Sequence, residues 1–366
     1  MTVGFHSPLP PAPTGVADYA AALLEELRAR GDIRVNSPGG DVSLYHLGNN
    51  PLHREIYVQA VSRPGVAVLH DAVLHHFLLG LLGRADYIEE FVYNYGEWSR
   101  GLAAELWQER PRSSQDARYF QYAMVRRVAE ASRAVVVHNP GAARIAAAHA
   151  PSARIVEIPF LFRAPEPVAD SEAMRWRARH GIAPAAFLFG VFGYLRETKR
   201  LLPILRAFER VRAAGVNAVL LVAGEFCSPD LARAAQPLLA APGVLRMGYL
   251  PEREFCLAGA AVDACLNLRS PAAGETSAIA IRMMGIGKPV LVSGGEETAR
   301  LPEAACLRVP AGLAEERVLA EYMRWLGESR TAAREIGLRA AAHIAAHHSP
   351  VEASRRYWDL LCECSG

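Results

Sequence analysis

Four stretches of the 366-residue chain combine residue types that could bind an anion or handle a proton. The run Gly193-Tyr194-Leu195-Arg196-Glu197-Thr198-Lys199-Arg200 leads from an apolar segment into a helical pattern. It places Arg196, Lys199 and Arg200 at a helix start, where the macrodipole disfavours cations. A diphosphate bound there would turn that cost into a gain; the other reading is a solvated charged face. Gly274-Glu275-Thr276-Ser277 precedes a second helical stretch, Ala278 to Gly285, and offers backbone N–H groups and hydroxyls as a further anion cradle. Near the N-terminus a proline-rich loop ends in Thr14-Gly15. Thr14 suits a helix cap and Gly15 permits close backbone approach to a ligand, unless the loop is only a stiff connection. Finally, His70-Asp71 closes a short apolar run and is followed by His75 and His76. An imidazole there can donate or accept near neutral pH; structural packing and a metal cluster are the competing readings, although the spacing lacks the carboxylate–histidine pattern of zinc enzymes.

The elements that position these residues alternate along the chain. Short apolar runs at Val3–Phe5, Val66–Leu69, Ala134–Val137, Ile155–Ile158, Phe187–Phe192, Val219–Ala223, Ala261–Leu266 and Pro289–Val292 read as strands buried on both faces. Helical patterns separate them, including Val16 to Arg28, a largely helical Tyr87 to Ala131, and Val351 to Leu361. The expected fold class is therefore α/β, with two Rossmann-like parallel sheets. The proline-dense Pro159 to Pro167 reads as the hinge. The expected N-terminal domain is 1–163, with a C-terminal helix 349–366 packing back on it, and the second domain is 164–348. Ligands of open parallel sheets bind outside the carboxyl ends of the strands, so a cleft faced by two such sheets is the expected site.

Composition narrows the function. Forty Lys and Arg against 38 Asp and Glu leave a formal charge of +2, which argues against a nucleic-acid partner held by broad phosphate neutralisation. Six cysteines, all in the second half, do not read as a disulfide framework, and the Cys362-x-Cys364 pair has no neighbouring metal-ligand pair. The N-terminus lacks a signal-peptide pattern, and no apolar run reaches the roughly 20 residues of a membrane span, so the expected location is the cytoplasm. No Walker loop, dinucleotide fingerprint or D-x-D pair occurs.

Taken together, Gly193-Tyr194-Leu195-x-x-x-Lys199, Val222-Ala223-Gly224-Glu225, Met247-Gly248-Tyr249-Leu250, Ala261-Val262-Asp263-Ala264, the stretch from Gly274 to Pro289-Val290, and Ser7-Pro8-Leu9-Pro10 through Thr14 to Tyr19 resemble the retaining glycosyltransferases of family 4, which have the GT-B fold. The resemblance covers most of the chain. It implies a bacterial-type enzyme that moves a sugar from a nucleotide-diphosphate donor with retention, by front-face attack, with no metal and no cofactor beyond the nucleotide sugar as co-substrate. It matches Lys199 to the lysine at the donor diphosphate and His70 to the histidine that contacts the transferred sugar. Gly15, Arg196, Gly274, Thr276 and Ser277 fall at diphosphate-binding positions, and Gly224, Tyr249, Glu275 and Arg282 at nucleoside or sugar positions. The implied partners are a nucleotide sugar and an acceptor that is a glycan, a lipid-linked glycan or a small molecule. Peripheral contact with the inner membrane face is a further implication, without a basic amphipathic helix to support it.

Two departures stand out. Tyr194 occupies the place of an arginine, with Arg196 or Arg200 as replacement. The E-x7-E element is broken: alignment on Gly287-Lys288-Pro289 sets Gly274 at the first glutamate and Arg282 at the second, with Glu275 one place late. An arginine cannot accept hydrogen bonds from ribose hydroxyls, so Arg282 either pairs with Glu275 or supplies the missing phosphate cation. Alternatives to transfer are a GT-B sugar-nucleotide epimerase and a catalytically silent nucleotide-sugar-binding scaffold.

Overall fold

A computed structural model describes residues 1–37 and 39–365. The chain forms two units. The N-terminal unit comprises Met1–Arg163, Pro271–Thr276 and the chain from His348 onward; the C-terminal unit comprises Ala164–Ser270 and Ser277–His347.

In the N-terminal unit the strands are β1 (Thr2–His6), β2 (Asp32–Val35), β3 (Val42–Leu47), β4 (Val66–Leu69), β5 (Ala134–Val137) and β6 (Ile155–Glu157). They lie in the order β2-β1-β3-β4-β5-β6, all parallel. The inner strands β4 and β5 are buried throughout, which is why they are unbroken Val, Ala and Leu. Helix Pro350–Glu363 packs on helix Gly15–Arg28, and the Tyr19 and Tyr357 hydroxyls meet at 3.0 Å.

In the C-terminal unit the strands are β7 (Phe187–Phe192), β8 (Ala218–Ala223), β9 (Val244–Met247), β10 (Ala264–Asn267), β11 (Val290–Ser293) and β12 (Leu307–Val309), ordered β12-β11-β10-β7-β8-β9 and again all parallel. Each sheet grows outward in both directions from its first strand. The reversal falls between β1 and β3 in one unit and between β7 and β10 in the other. Ligands of doubly wound sheets sit at such switch points, beyond the carboxyl ends.

Several expectations shift. The strand expected over Ala261–Leu266 starts at Ala264, because helix Glu252–Ala261 runs on and Asp263 turns to Arg177 at 2.6 Å, Arg330 at 3.0 Å and Leu188 N at 2.8 Å. The stretch Tyr87 to Ala131 is broken into separate helices, Arg84–Tyr95, Arg100–Glu109, Arg118–Gln121 and Arg126–Ala131. Segment 271–276, expected in the second domain, belongs to the N-terminal unit: Ala72 N and Val73 N both donate to Ala273 O, at 2.8 and 3.1 Å. No helix among the described residues is long and apolar enough to cross a membrane. All six cysteines are unbridged.

Candidate functional site

At the switch point of the C-terminal unit, β7 is followed by Gly193, whose φ of +84° few other residues adopt. A side-chain carbon there would stand 2.9 Å from Lys199 Nζ. Lys199 ends the single turn Glu197–Lys199, lies only 6% exposed, and donates to Phe192 O. Burial holds its amine well below the ordinary lysine pKa, and Arg269 pushes in the same direction. The other influences on it are Arg196, which also lowers, and the thiols of Cys265 and Cys227, which raise. A buried amine with one carbonyl partner and two guanidinium groups nearby is an arrangement that an anion completes.

The expected arginines divide. Arg196 is exposed. Arg200, left-handed at φ +58°, bonds the buried Glu315 through Nε at 2.9 and 3.0 Å, so Arg200 braces the following helix and its charge is already matched. Arg269 is the cation that sequence reasoning passed over. It follows β10, which pairs with β7 through Ala264 opposite Phe189 and Cys265 opposite Gly190. Continued past the strand ends, that register sets Arg269 level with Tyr194, where the arginine was missing. Ser270 N donates to Thr198 O at 2.9 Å, and Arg269 N to Ser293 Oγ at 2.9 Å, anchoring the turn. The signal was a cation directly after a strand; what hid it is that strand order within a sheet is not written in chain order.

Arg282 does not make the expected pair with Glu275. Its guanidinium lies over the Phe255 ring, 4.4 Å from the centroid, and pairs with Glu252 through both terminal nitrogens. Glu252 therefore takes the charge that Glu275 was expected to take. Glu275 accepts instead from Ala273 N at 2.7 Å, closing its own loop. Gly224 has φ +142°, and any side-chain carbon would stand 2.1 Å from Gly193 O, so its smallness serves the approach of two backbones. Tyr249 is 70% exposed, and its N–H donates to Glu225 Oε1 at 2.8 Å. Ser277 caps helix Ala278–Gly285 by accepting from Ala280 N at 3.3 Å.

In the N-terminal unit, histidines stand at the carboxyl ends of the four central strands: His6 in β1, His46 in β3, and His70 and His138 directly after β4 and β5. His70 Nε2 lies 3.0 Å from His46 Nδ1. Tyr19 meets the His70 ring edge-on at 4.8 Å and the His138 ring lies at 5.0 Å. Burial keeps His70 and His46 well below the ordinary imidazole pKa and lowers His138 to about 4. Burial thus favours the neutral form of these rings. His75 and His76 belong elsewhere: His75 Nε2 meets Tyr87 Oη at 2.7 Å within an aromatic cluster, and His76 Nε2 lies 3.2 Å from Ser113 O. Thr14 caps helix Gly15–Arg28 as expected, accepting from Val16 N at 3.4 Å, and a carbon added to Gly15 meets nothing within 4 Å. Asn139 Nδ2 donates to Gly274 O and to Thr276 Oγ1, both at 2.9 Å. Gly274, at φ +74°, leaves no room for a carbon, which would fall 2.6 Å from Ala72 Cβ.

This architecture recurs in solved structures. HepE of Anabaena, crystallised with UDP and glucose, superposes with a TM-score of 0.71 over 99% of this chain and 100% of its own, at 14% identity. The chain has the GT-B fold. Sucrose-phosphate synthase of Thermosynechococcus elongatus gives 0.69 over 99% and 98% at 15% identity. WaaG, a glycosyltransferase involved in lipopolysaccharide biosynthesis, gives 0.64 over 97% and 99% at 14% identity. No family model matches the sequence, and no curated protein matches it.

Proposed function

We propose that the chain is a retaining, metal-independent glycosyltransferase related to family 4, which transfers a sugar from a nucleoside-diphosphate donor. The observation that carries this reading is the buried Lys199 amine, donating to Phe192 O at the β7–β10 switch point, with Arg269 on the adjoining loop. The leaving diphosphate would gather negative charge as the glycosidic bond breaks, and fixed cations stabilise that charge most where water is excluded. Lys199 and Arg269 would take the phosphates, and Arg196, exposed beside them, would be free to follow the ligand. His70, neutral and fixed, would hydrogen-bond the transferred sugar. Retention with no carboxylate nucleophile among these residues fits front-face attack, in which the departing phosphate oxygen takes the acceptor's proton.

The fold shared with HepE, bound there to UDP and glucose, supports a nucleotide-sugar donor for this chain too. Incubation with UDP-, GDP-, ADP- and dTDP-sugars and mixed glycan, lipid-linked and small-molecule acceptors tests the reading. Transfer or slow donor hydrolysis from one nucleotide class is the expected result. An altered sugar nucleotide formed without acceptor would make the chain an epimerase, and binding without turnover a silent scaffold.

A further inference from the structure

We propose that His46 is a positioning residue for His70: it donates its Nδ1–H to His70 Nε2 and so holds His70 as the Nδ1–H tautomer, presenting a neutral N–H donor to an oxygen of the bound sugar. The proposal rests on the role given to His70 above.

The two rings are brought together by the sheet. β3 pairs with β4 in the register Leu47 to Leu69, and His70 N donates to Leu47 O at 2.9 Å. The imidazoles stack at 5.3 Å with 21° between planes, and Nδ1 of His46 lies 3.0 Å from Nε2 of His70. His46 is fully buried and His70 is 7% exposed.

Two neutral rings carry two N–H protons, and one of them must lie in this contact. If His70 donates, His46 must carry its proton on Nε2 and His70 Nδ1 is bare. If His46 donates, His46 Nε2 is bare and His70 carries its proton on Nδ1. Among the described residues, His46 Nε2 is buried with no hydrogen-bond partner. Buried N–H groups left without an acceptor are rarer than acceptors left without a donor. The second arrangement therefore prevails. The neighbouring rings follow the same rule. His53 Nδ1 lies 2.9 Å from His46 O and His138 Nδ1 2.9 Å from Ile158 O, so each must carry its proton on Nδ1, and in each Nε2 is the buried atom with no partner. Burial excludes a third proton on the pair, because the charge would be stranded among apolar and imidazole surfaces. The wrong tautomer in a fixed catalytic imidazole disables it without moving it.

Nitrogen-15 spectra of the ring nitrogens, with the chain's 12 histidines assigned through His46→Asn and His70→Asn, read the tautomers directly in the unmodified protein. His70 protonated at Nδ1 is the expected result, and His70 protonated at Nε2 overturns the proposal. Kinetics give the second readout. His46→Phe keeps a planar ring, at a somewhat larger volume, but removes the donor, and is expected to lower kcat at least about tenfold with little change in donor KM. His46→Asn restores an N–H near the Nδ1 position and is expected to recover most of that loss. Equal kcat in wild type and His46→Phe overturns the proposal; should His46→Phe not fold, the spectra decide. A protein that transfers no sugar from any donor would overturn the glycosyltransferase reading, while the tautomer assignment would still be decided by the spectra.

Discussion

The Asn139 side chain donates to the Thr276 hydroxyl across 2.9 Å, tying residues 137 positions apart in the chain. The same amide group donates to Gly274 O, and its carbonyl oxygen accepts from Ala142 N at 2.8 Å as the cap of helix Pro140–His149. One side chain thus fixes a helix start and the glycine-bearing loop 271–276. Asn139→Ala should cost about 1 kcal/mol through the lost cap and speed amide exchange in 271–276. Asn139→Asp keeps the cap oxygen but not the donor, so it should loosen the loop with less loss of stability. Equal exchange in that loop for wild type and both variants would show that Asn139 does not hold it.

Lys199 gives a pair of opposite effects. A buried amine costs stability in the unliganded fold, so Lys199→Met should melt no lower than wild type. If the cation serves the departing diphosphate, the same change should lower turnover by roughly 10²–10³. A variant that melts well below wild type and retains its turnover would make Lys199 structural.

The depressed amine also predicts proton linkage. Its folded-state pKa lies below the ordinary value of 10.5, so between the two the unfolded chain binds a proton that the folded chain does not. Stability of the unliganded protein from this group therefore rises with pH through that window. A diphosphate at Lys199 restores the charge and should draw in a proton. Calorimetric titrations with a nucleoside diphosphate in mildly alkaline buffers of differing ionisation enthalpy should show uptake that disappears in Lys199→Met.

The histidine cluster predicts acid sensitivity. His138 and His53 are each lowered by burial from 6.5 to about 4. The unfolded chain takes up protons first as pH falls, so their contribution is complete above 6.5 and is lost as pH drops toward 4. Melting temperature should fall through that interval, less steeply in His138→Asn. Parallel melting curves for the two proteins would remove His138 from this account.

Gly193 and Gly15 should behave differently. Gly193→Ala combines a strained φ with a carbon 2.9 Å from Lys199 Nζ, so it should damage both folding and donor binding. Gly15→Ala meets nothing within 4 Å and should leave melting unchanged. If Gly15 faces the phosphates, donor affinity alone should fall; unchanged affinity would return it to a plain loop.

What could be read from the sequence follows from which strands are apolar throughout. β4, β5 and β8 are continuous Val, Ala and Leu runs and β7 is Phe, Leu and Val broken only by Gly190, so their loops, with His70 and Lys199, were legible. β3 was not, because Ser43 and His46 interrupt its apolar run, and His46 was lost with it. β2 and β12 stand at sheet edges, where exposure relaxes the pattern. Arg269 and the Arg282–Glu252 pair depend on which elements adjoin, and spacing does not encode that.

Calorimetric titration of the unmodified protein with UDP, GDP, ADP and dTDP tests the central claim most directly. The account predicts saturable binding of one of them, weakened by Lys199→Met and by Arg269→Gln. Absence of binding by all four, or binding that both substitutions leave untouched, would contradict it.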